Sequence, residues 1–148
     1  MKIAIHTDLH HGVRNDDDNF MNMQLRYYNE LFFPYLEEHG ITTVFNLGDT
    51  NDKRKIANIK TVKTFDDAYH KRLYDMGVTE YVLVGNHDVY YKSTNEINSI
   101  DVFAEKYDNV KVIDSFETVV VGGMEFAFMA WINNENYEHA MSFINNTA

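Results

Sequence analysis

Three short clusters carry side chains that could do chemistry: Asp8-Leu9-His10, Gly48-Asp49-Thr50-Asn51-Asp52 and Gly85-Asn86-His87-Asp88. Carboxylate, imidazole and amide oxygen together suit Mn²⁺, Fe or Zn²⁺, whereas oxygen donors alone would point to Mg²⁺ or Ca²⁺. The chain has no cysteine, so thiolate ligation and disulfides are excluded. Three converging clusters hold enough donors for a dinuclear centre. Two cations about 3.5 to 4 Å apart can clamp a phosphoryl group and lower the pKa of a bound water.

The elements that must position these clusters are legible in the pattern. Ile3 to Thr7, Thr42 to Leu47 and Tyr81 to Val84 are short apolar runs, each ending at one of the three clusters, and read as buried strands. Between them lie two amphipathic stretches, about Asp17 to His39 and about Asn58 to Met76. They read as helices closed by Gly40 and Gly77 in left-handed C-caps. Strand and helix in alternation predict an α/β fold with a parallel sheet, and ligands in such sheets bind beyond the carboxyl ends of the strands. A third helix is expected over Thr94 to Tyr107. Strands follow at Val110 to Ile113, Thr118 to Val121 and Met124 to Ala130, the last two joined at Gly122-Gly123, and a final helix spans about Glu135 to Ile144 before a polar Asn145-Asn146-Thr147-Ala148 end.

The 148 residues, 45% hydrophobic and 24% charged, suit one domain with a real core. No run approaches the roughly 20 apolar residues of a membrane span, and the absence of cysteine and of a signal-like N-terminus fits a cytoplasmic protein. The net charge of -10 repels nucleic acid over the surface as a whole. A nucleic-acid partner therefore needs a local basic patch, and Lys53, Arg54, Lys55, Lys60 and Lys63 supply a candidate, unless they are simply a solvated face.

The ordered set D-x-H, G-D-x-x-D and G-N-H-D resembles the calcineurin-like metallophosphoesterase superfamily. The surrounding text, including His11-Gly12, Gly40-Ile41-Thr42-Thr43, Tyr91-Lys92 and Asn109-Val110-Lys111-Val112, is similar to the SbcD-type DNA-repair exonucleases, among them the recombination nuclease subunits of T-even-like bacteriophages. The resemblance implies a layered sheet with flanking helices and two divalent transition metals, most often Mn²⁺. Asp8 and His10 would hold the first metal, Asp49 would bridge, and Asn86 would reach the second through its amide oxygen. His87 would stand by the scissile phosphate with Asp88 orienting it, while Asp52 would support its loop without ligating. It also implies DNA as substrate, with Lys53, Arg54 and Lys55 near the backbone, an SbcC-like SMC-type ATPase partner, a homodimer, and the host cytoplasm if phage-encoded.

The family completes its site with three further histidines, one alone and two in a G-H-x-H motif, and none of these appears here. His139, inside an expected helix, is the only histidine after His87. Residues 1 to 148 are therefore expected to be the N-terminal part of such a domain, with an incomplete second metal position and little nuclease activity. A small phosphodiester or phosphoprotein substrate, or a non-catalytic scaffold, are the competing readings. His11 is a candidate substrate contact or else an exposed loop histidine. Asp16-Asp17-Asp18 reads as a helix cap in preference to a metal site, His6 as a satisfied strand histidine, and Tyr27, Tyr28, Phe32, Phe33 and Tyr35 as core more than as a base-stacking or subunit surface.

Overall fold

A computed structural model describes residues 1 to 104 and 106 to 147. Strands β1 (Ala4–His6), β2 (Thr43–Asn46), β3 (Thr79–Leu83) and β4 (Val110–Ile113) pair in parallel in chain order. This is the expected α/β architecture. Between β1 and β2 the chain runs through α1 (Asp18–Arg26), a π-helical turn Tyr27–Phe32 and α2 (Phe33–His39). Between β2 and β3 it repeats that form, with α3 (Ile59–Phe65), a π-helical turn Asp66–His70 and α4 (Lys71–Asp75). Helix α5 (Ser99–Ala104) precedes β4. Strands β5 (Phe116–Val121) and β6 (Met124–Met129) then form an antiparallel hairpin, and α6 (Tyr137–Thr147) follows.

Period-two alternation along the strands divides the core. Ala4 and Val44 face the helices, where they meet Tyr28, Phe33, Leu36, Phe65, Tyr69 and Leu73. Phe45, Tyr81, Leu83 and Ile113 face the other way and pack on Val121, Phe126 and Phe128 of the hairpin. The sheet is thus the middle of three layers, with its carboxyl edge free to carry the motif loops. Asp17 caps α1 by accepting from the backbone N–H groups of Asn19 and Phe20 at 2.8 and 3.2 Å. Gly40 and Gly77 end the helical stretches with φ of 60° and 66°, as the C-cap reading requires.

Strand β3 starts early, at Thr79, and α6 runs on to Thr147 beyond the expected Ile144; three other boundaries differ from the sequence expectation for a local reason. Helix α5 covers only Ser99–Ala104 of the expected Thr94 to Tyr107. Asn95 donates to the Asp114 and Trp131 carbonyls, which holds the approach as a turn, and Asn98 caps the Asp101 N–H at 2.9 Å. Glu105 within that expected span, and Ala148 of the polar end, lie outside the described residues. Helix α6 starts at Tyr137 because Asn133 accepts from the Glu135 and Asn136 N–H groups and shapes a turn before it. Strand β5 begins at Phe116, which is buried.

Candidate metal centre

The first two loops prolong the parallel pairing beyond their strands. The N–H groups of Asp8, His10 and His11 donate to the carbonyls of Gly48, Asp49 and Thr50 at 3.0, 3.0 and 2.8 Å, and the Asp52 N–H returns to the His11 carbonyl. The third loop packs against the second through glycine. A Cβ on Gly48 would lie 3.0 Å from the Gly85 Cα, and one on Gly85 would collide with the Asp49 backbone and carboxylate. Both glycines are therefore required by close backbone approach.

Asp8, His10 and Asp49 all hold positive φ, at 55°, 46° and 54°. A left-handed backbone costs a non-glycine residue about 1 kcal/mol or more. Three such residues at one point concentrate strain where their side chains converge. His10 Nε2 stands 3.5 Å from Asp8 Oδ1 and 4.0 Å from Asp49 Oδ2, and the three donor atoms lie within 4.8 Å of one another. Ligands at about 2.0 to 2.2 Å from a common ion have separations of this order, so the donor set fits a divalent cation.

His10 Nδ1 faces the Asp52 carboxylate at 3.4 Å. A carboxylate behind a ligating imidazole fixes the tautomer and leaves the other nitrogen for the metal. Asp52 thus stands behind His10 from the second loop without a hydrogen bond to it, and with His87 the two form a second group of donor atoms within 4.8 Å, an approach the sequence reading missed. An acid a few residues after a ligand was the available signal, but its target lies in a different loop.

Asn86 lies against Asp49, and its amide has two orientations. In one, its nitrogen donates to Asp49 Oδ2 at 3.0 Å and its oxygen accepts from the Arg54 guanidinium at 3.1 Å. In the other, the amide oxygen and the carboxylate oxygen face each other with no proton between them, as two ligands of one cation would. His87 Nδ1 donates to the Asp52 carbonyl at 2.9 Å, which leaves Nε2 as the free nitrogen, and the His87 N–H donates to Asp49 Oδ1 at 2.9 Å. The His10 and His87 rings meet edge to face, 4.8 Å apart.

Two sequence expectations need correction. Asp88 does not orient His87 here. Its buried carboxylate accepts from the N–H groups of Asn51 and Gly85 at 3.0 Å each and of Thr50 at 3.4 Å, tying the second loop to the third. Burial, with the charge of Asp49 adding to it, pushes the Asp88 carboxyl up to about 6, against the pull of those donors. His11 is neither exposed nor a surface contact: it is 5% exposed, stacked on Phe65 at 3.9 Å and bonded to the Tyr28 hydroxyl at 2.7 Å. Burial, helped by the neighbouring His70 and His6, holds its pKa well below the ordinary histidine value. An apolar neighbourhood built from α3 and the first π-helical turn explains both, and no local pattern around His11 records it.

The basic patch divides. Lys53, Lys60 and Lys63 reach Asp16, Asp18 and Asp67, each at 2.6 Å. Asp16 also accepts from Thr61, and although burial acts to raise its pKa, Lys53 and Thr61 hold it below the ordinary range. Asp16 is therefore a latch for the second loop, while Asp17 is the cap. Among the described residues Arg54 and Lys55 form no ion pair.

A buried polar cluster sits directly beneath the loops. Glu80 is fully buried, and its Oε1 accepts from the Tyr69 hydroxyl at 2.5 Å and from the Asn46 amide at 3.1 Å. The Tyr69 hydroxyl also meets His6 Nε2 at 2.7 Å; since it donates to Glu80, it accepts from His6. Asn46 in turn donates to the Thr50 hydroxyl and accepts from the Gly48 N–H. The cluster joins β1, β2 and β3 just below Asp8 and Asp49. His6 is thereby bonded through Nε2, while its buried Nδ1 meets no hydrogen-bond partner among the described residues, so the expected satisfied strand histidine is only half satisfied. Tyr28, Phe32 and Phe33 are core, while Tyr27 and Tyr35 are exposed.

No family model matches the chain. Among curated proteins it is similar to exonuclease subunit 1 of Enterobacteria phage T4, with 35% identity over 136 residues, or 92% of this chain. The chain spans 40% of the length of that relative.

Proposed function

Because the chain is a relative of a phage exonuclease subunit, we propose that it is the N-terminal part of a metal-dependent nuclease domain that hydrolyses phosphodiesters in DNA. The convergence of Asp8, His10 and Asp49 on one point carries the reading, since Asp8 and His10 come from the first loop and Asp49 from the second, about 40 residues further along the chain. Divalent cations bound there, Mn²⁺ in the first place, would clamp the phosphodiester and lower the pKa of the attacking water.

The chain's own residues then divide the work. Asp8, His10 and Asp49 hold the first position, with Asp52 behind His10. Asp49 and Asn86 contribute to the second. His87, with Nδ1 committed to the Asp52 carbonyl, presents Nε2 to position or protonate the leaving oxygen. Asp88 braces the second and third loops. An SbcC-like ATPase and a second copy of this chain are the proposed partners. Met23, Tyr27, Leu31 and Tyr35, exposed at four-residue intervals along the first helical stretch, support the second copy.

The test is Mn²⁺-dependent hydrolysis of end-labelled single-stranded DNA by the longest natural reading frame containing this chain, with His87→Asn beside it. The variant is expected to turn over about 100-fold more slowly at unchanged Mn²⁺ affinity. A parallel loss of Mn²⁺ binding would make His87 a ligand instead. Absence of hydrolysis in the parent protein would reject the nuclease.

A further inference from the structure

A pocket of about 590 Å³ opens beside the metal centre, with Asp52 and His87 in the walls of both. Its remaining walls come from two segments far apart in sequence: Lys53 to Ile56 after the second motif, and Tyr90 to Lys92 after the third. The volume lies within the range of small-ligand sites, so one nucleotide unit fits.

The lining has two chemical halves. Four cations and a single acid face this space in a chain of net charge -10. Lys53 is already matched by Asp16, and Lys60 and Lys63 of the same patch are matched outside the pocket. Arg54, Lys55 and Lys92 meet no carboxylate at ion-pair distance among the described residues, so this pocket holds three unpaired cations side by side. The other half is aromatic. Tyr90 and Tyr91 are 37% and 49% exposed, with rings edge to face at 4.7 Å. Lys55 Nζ lies 4.9 Å from the Tyr90 centroid and 6.0 Å from that of Tyr91, which puts the cation and the aromatic faces within one nucleotide's reach.

We propose that this pocket holds the nucleotide next to the scissile phosphate of a single-stranded DNA. Its backbone phosphate lies on Arg54, Lys55 and Lys92, and its base stacks on Tyr90 or Tyr91. The proposal rests on the metal-dependent nuclease reading and adds to it a subsite that takes one unstacked base and its phosphate. A solvated charged face would not need two half-exposed tyrosines between its cations. Stacking combined with phosphate contact is the usual chemistry of single-strand recognition.

The test measures binding of the chain, without added metal, to a fluorescent short oligothymidylate and to an abasic strand of equal length. Three variants are compared: Tyr90→Ala with Tyr91→Ala, Tyr90→Phe with Tyr91→Phe, and Lys55→Gln with Lys92→Gln. The alanine pair is expected to weaken oligothymidylate binding about tenfold and leave the abasic strand nearly unchanged, with the phenylalanine pair restoring affinity. The glutamine pair is expected to weaken both strands and flatten the salt dependence. An alanine pair that leaves oligothymidylate binding intact, or weakens both strands alike, overturns the base contact. Failure of the unaltered chain to bind either strand overturns the pocket as a nucleotide site. A separate Mn²⁺ titration, to which these side chains do not contribute, then decides whether the nuclease reading falls with it.

Discussion

Asp49→Asn is expected to lower the affinity for Mn²⁺ by more than about 100-fold, beyond the usual effect of altering residues behind a ligand. The substitution keeps the side-chain volume, and asparagine tolerates the positive φ that Asp49 already adopts, so the backbone should stay in place. The charge and the acceptor count change. Oδ1 accepts the His87 N–H and Oδ2 faces His10 and the Asn86 amide. An amide can serve the first only by turning its NH₂ toward the second, where a cation would sit. Unfolding midpoints should shift little while calorimetric Mn²⁺ binding disappears. The unaltered chain is expected to bind one Mn²⁺ firmly, since the proposed second position has only Asp49 and Asn86 and the other group of close donors, His10, Asp52 and His87, shares His10 with the first. Retained binding in the variant would remove Asp49 from the centre.

The second large effect belongs to Glu80. Its carboxylate is fully buried, and burial acts to raise its pKa. The neighbouring His6 and His70 outweigh that and hold it well below the ordinary value of 4.5. The approaches of 3.9 Å to His6 and 3.8 Å to His70 are too long for direct hydrogen bonds, so the stabilisation there is mainly Coulombic. A depressed carboxylate pKa in the folded state contributes stability that is complete above the unfolded-state value. That contribution is lost as pH falls below about 4.5 toward the folded-state value. Glu80→Ala would also strand the Tyr69 hydroxyl and the Asn46 amide, and a loss of about 3 to 5 kcal/mol is expected in urea unfolding at neutral pH. Glu80→Gln keeps the shape and should show a smaller loss and a flatter acid limb. An unchanged acid limb in Glu80→Gln would show that another group sets the acid sensitivity.

Much of the frame was legible because it is local. The strands preceding Asp8, Gly48 and Gly85, the C-caps at Gly40 and Gly77, and the hairpin at Gly122-Gly123 each depend on a few consecutive residues. So did the order of the three motifs. What escaped depends on contacts between distant segments. His11 is sealed by Phe65 and Tyr28 from two helical stretches, and Asp52 faces an imidazole from another loop. Asp88 spends its carboxylate on backbone N–H groups of the second motif. The role of Glu80 is invisible in the sequence, where the expected strand begins only at Tyr81 and leaves Glu80 outside it. Both π-helical turns were missed, since they lie inside continuous amphipathic stretches and contain no glycine or proline to mark them.

The strain at these loops leaves no mark in the sequence. Asp8, His10 and Asp49 carry left-handed backbones held by the pairing of the first two loops, and the Glu80 cluster braces that pairing from below through Asn46. Residues far from the donor atoms therefore brace the loops that carry them.

The most direct measurement is pulsed EPR of Mn²⁺ bound to the chain, compared with the His10→Ala variant. Mn²⁺ held by Asp8, His10 and Asp49 should show hyperfine coupling to a directly bound imidazole nitrogen, and the variant should lose both the coupling and the firm binding. Mn²⁺ that binds without nitrogen coupling, or equally well after His10→Ala, would contradict a centre built on these loops.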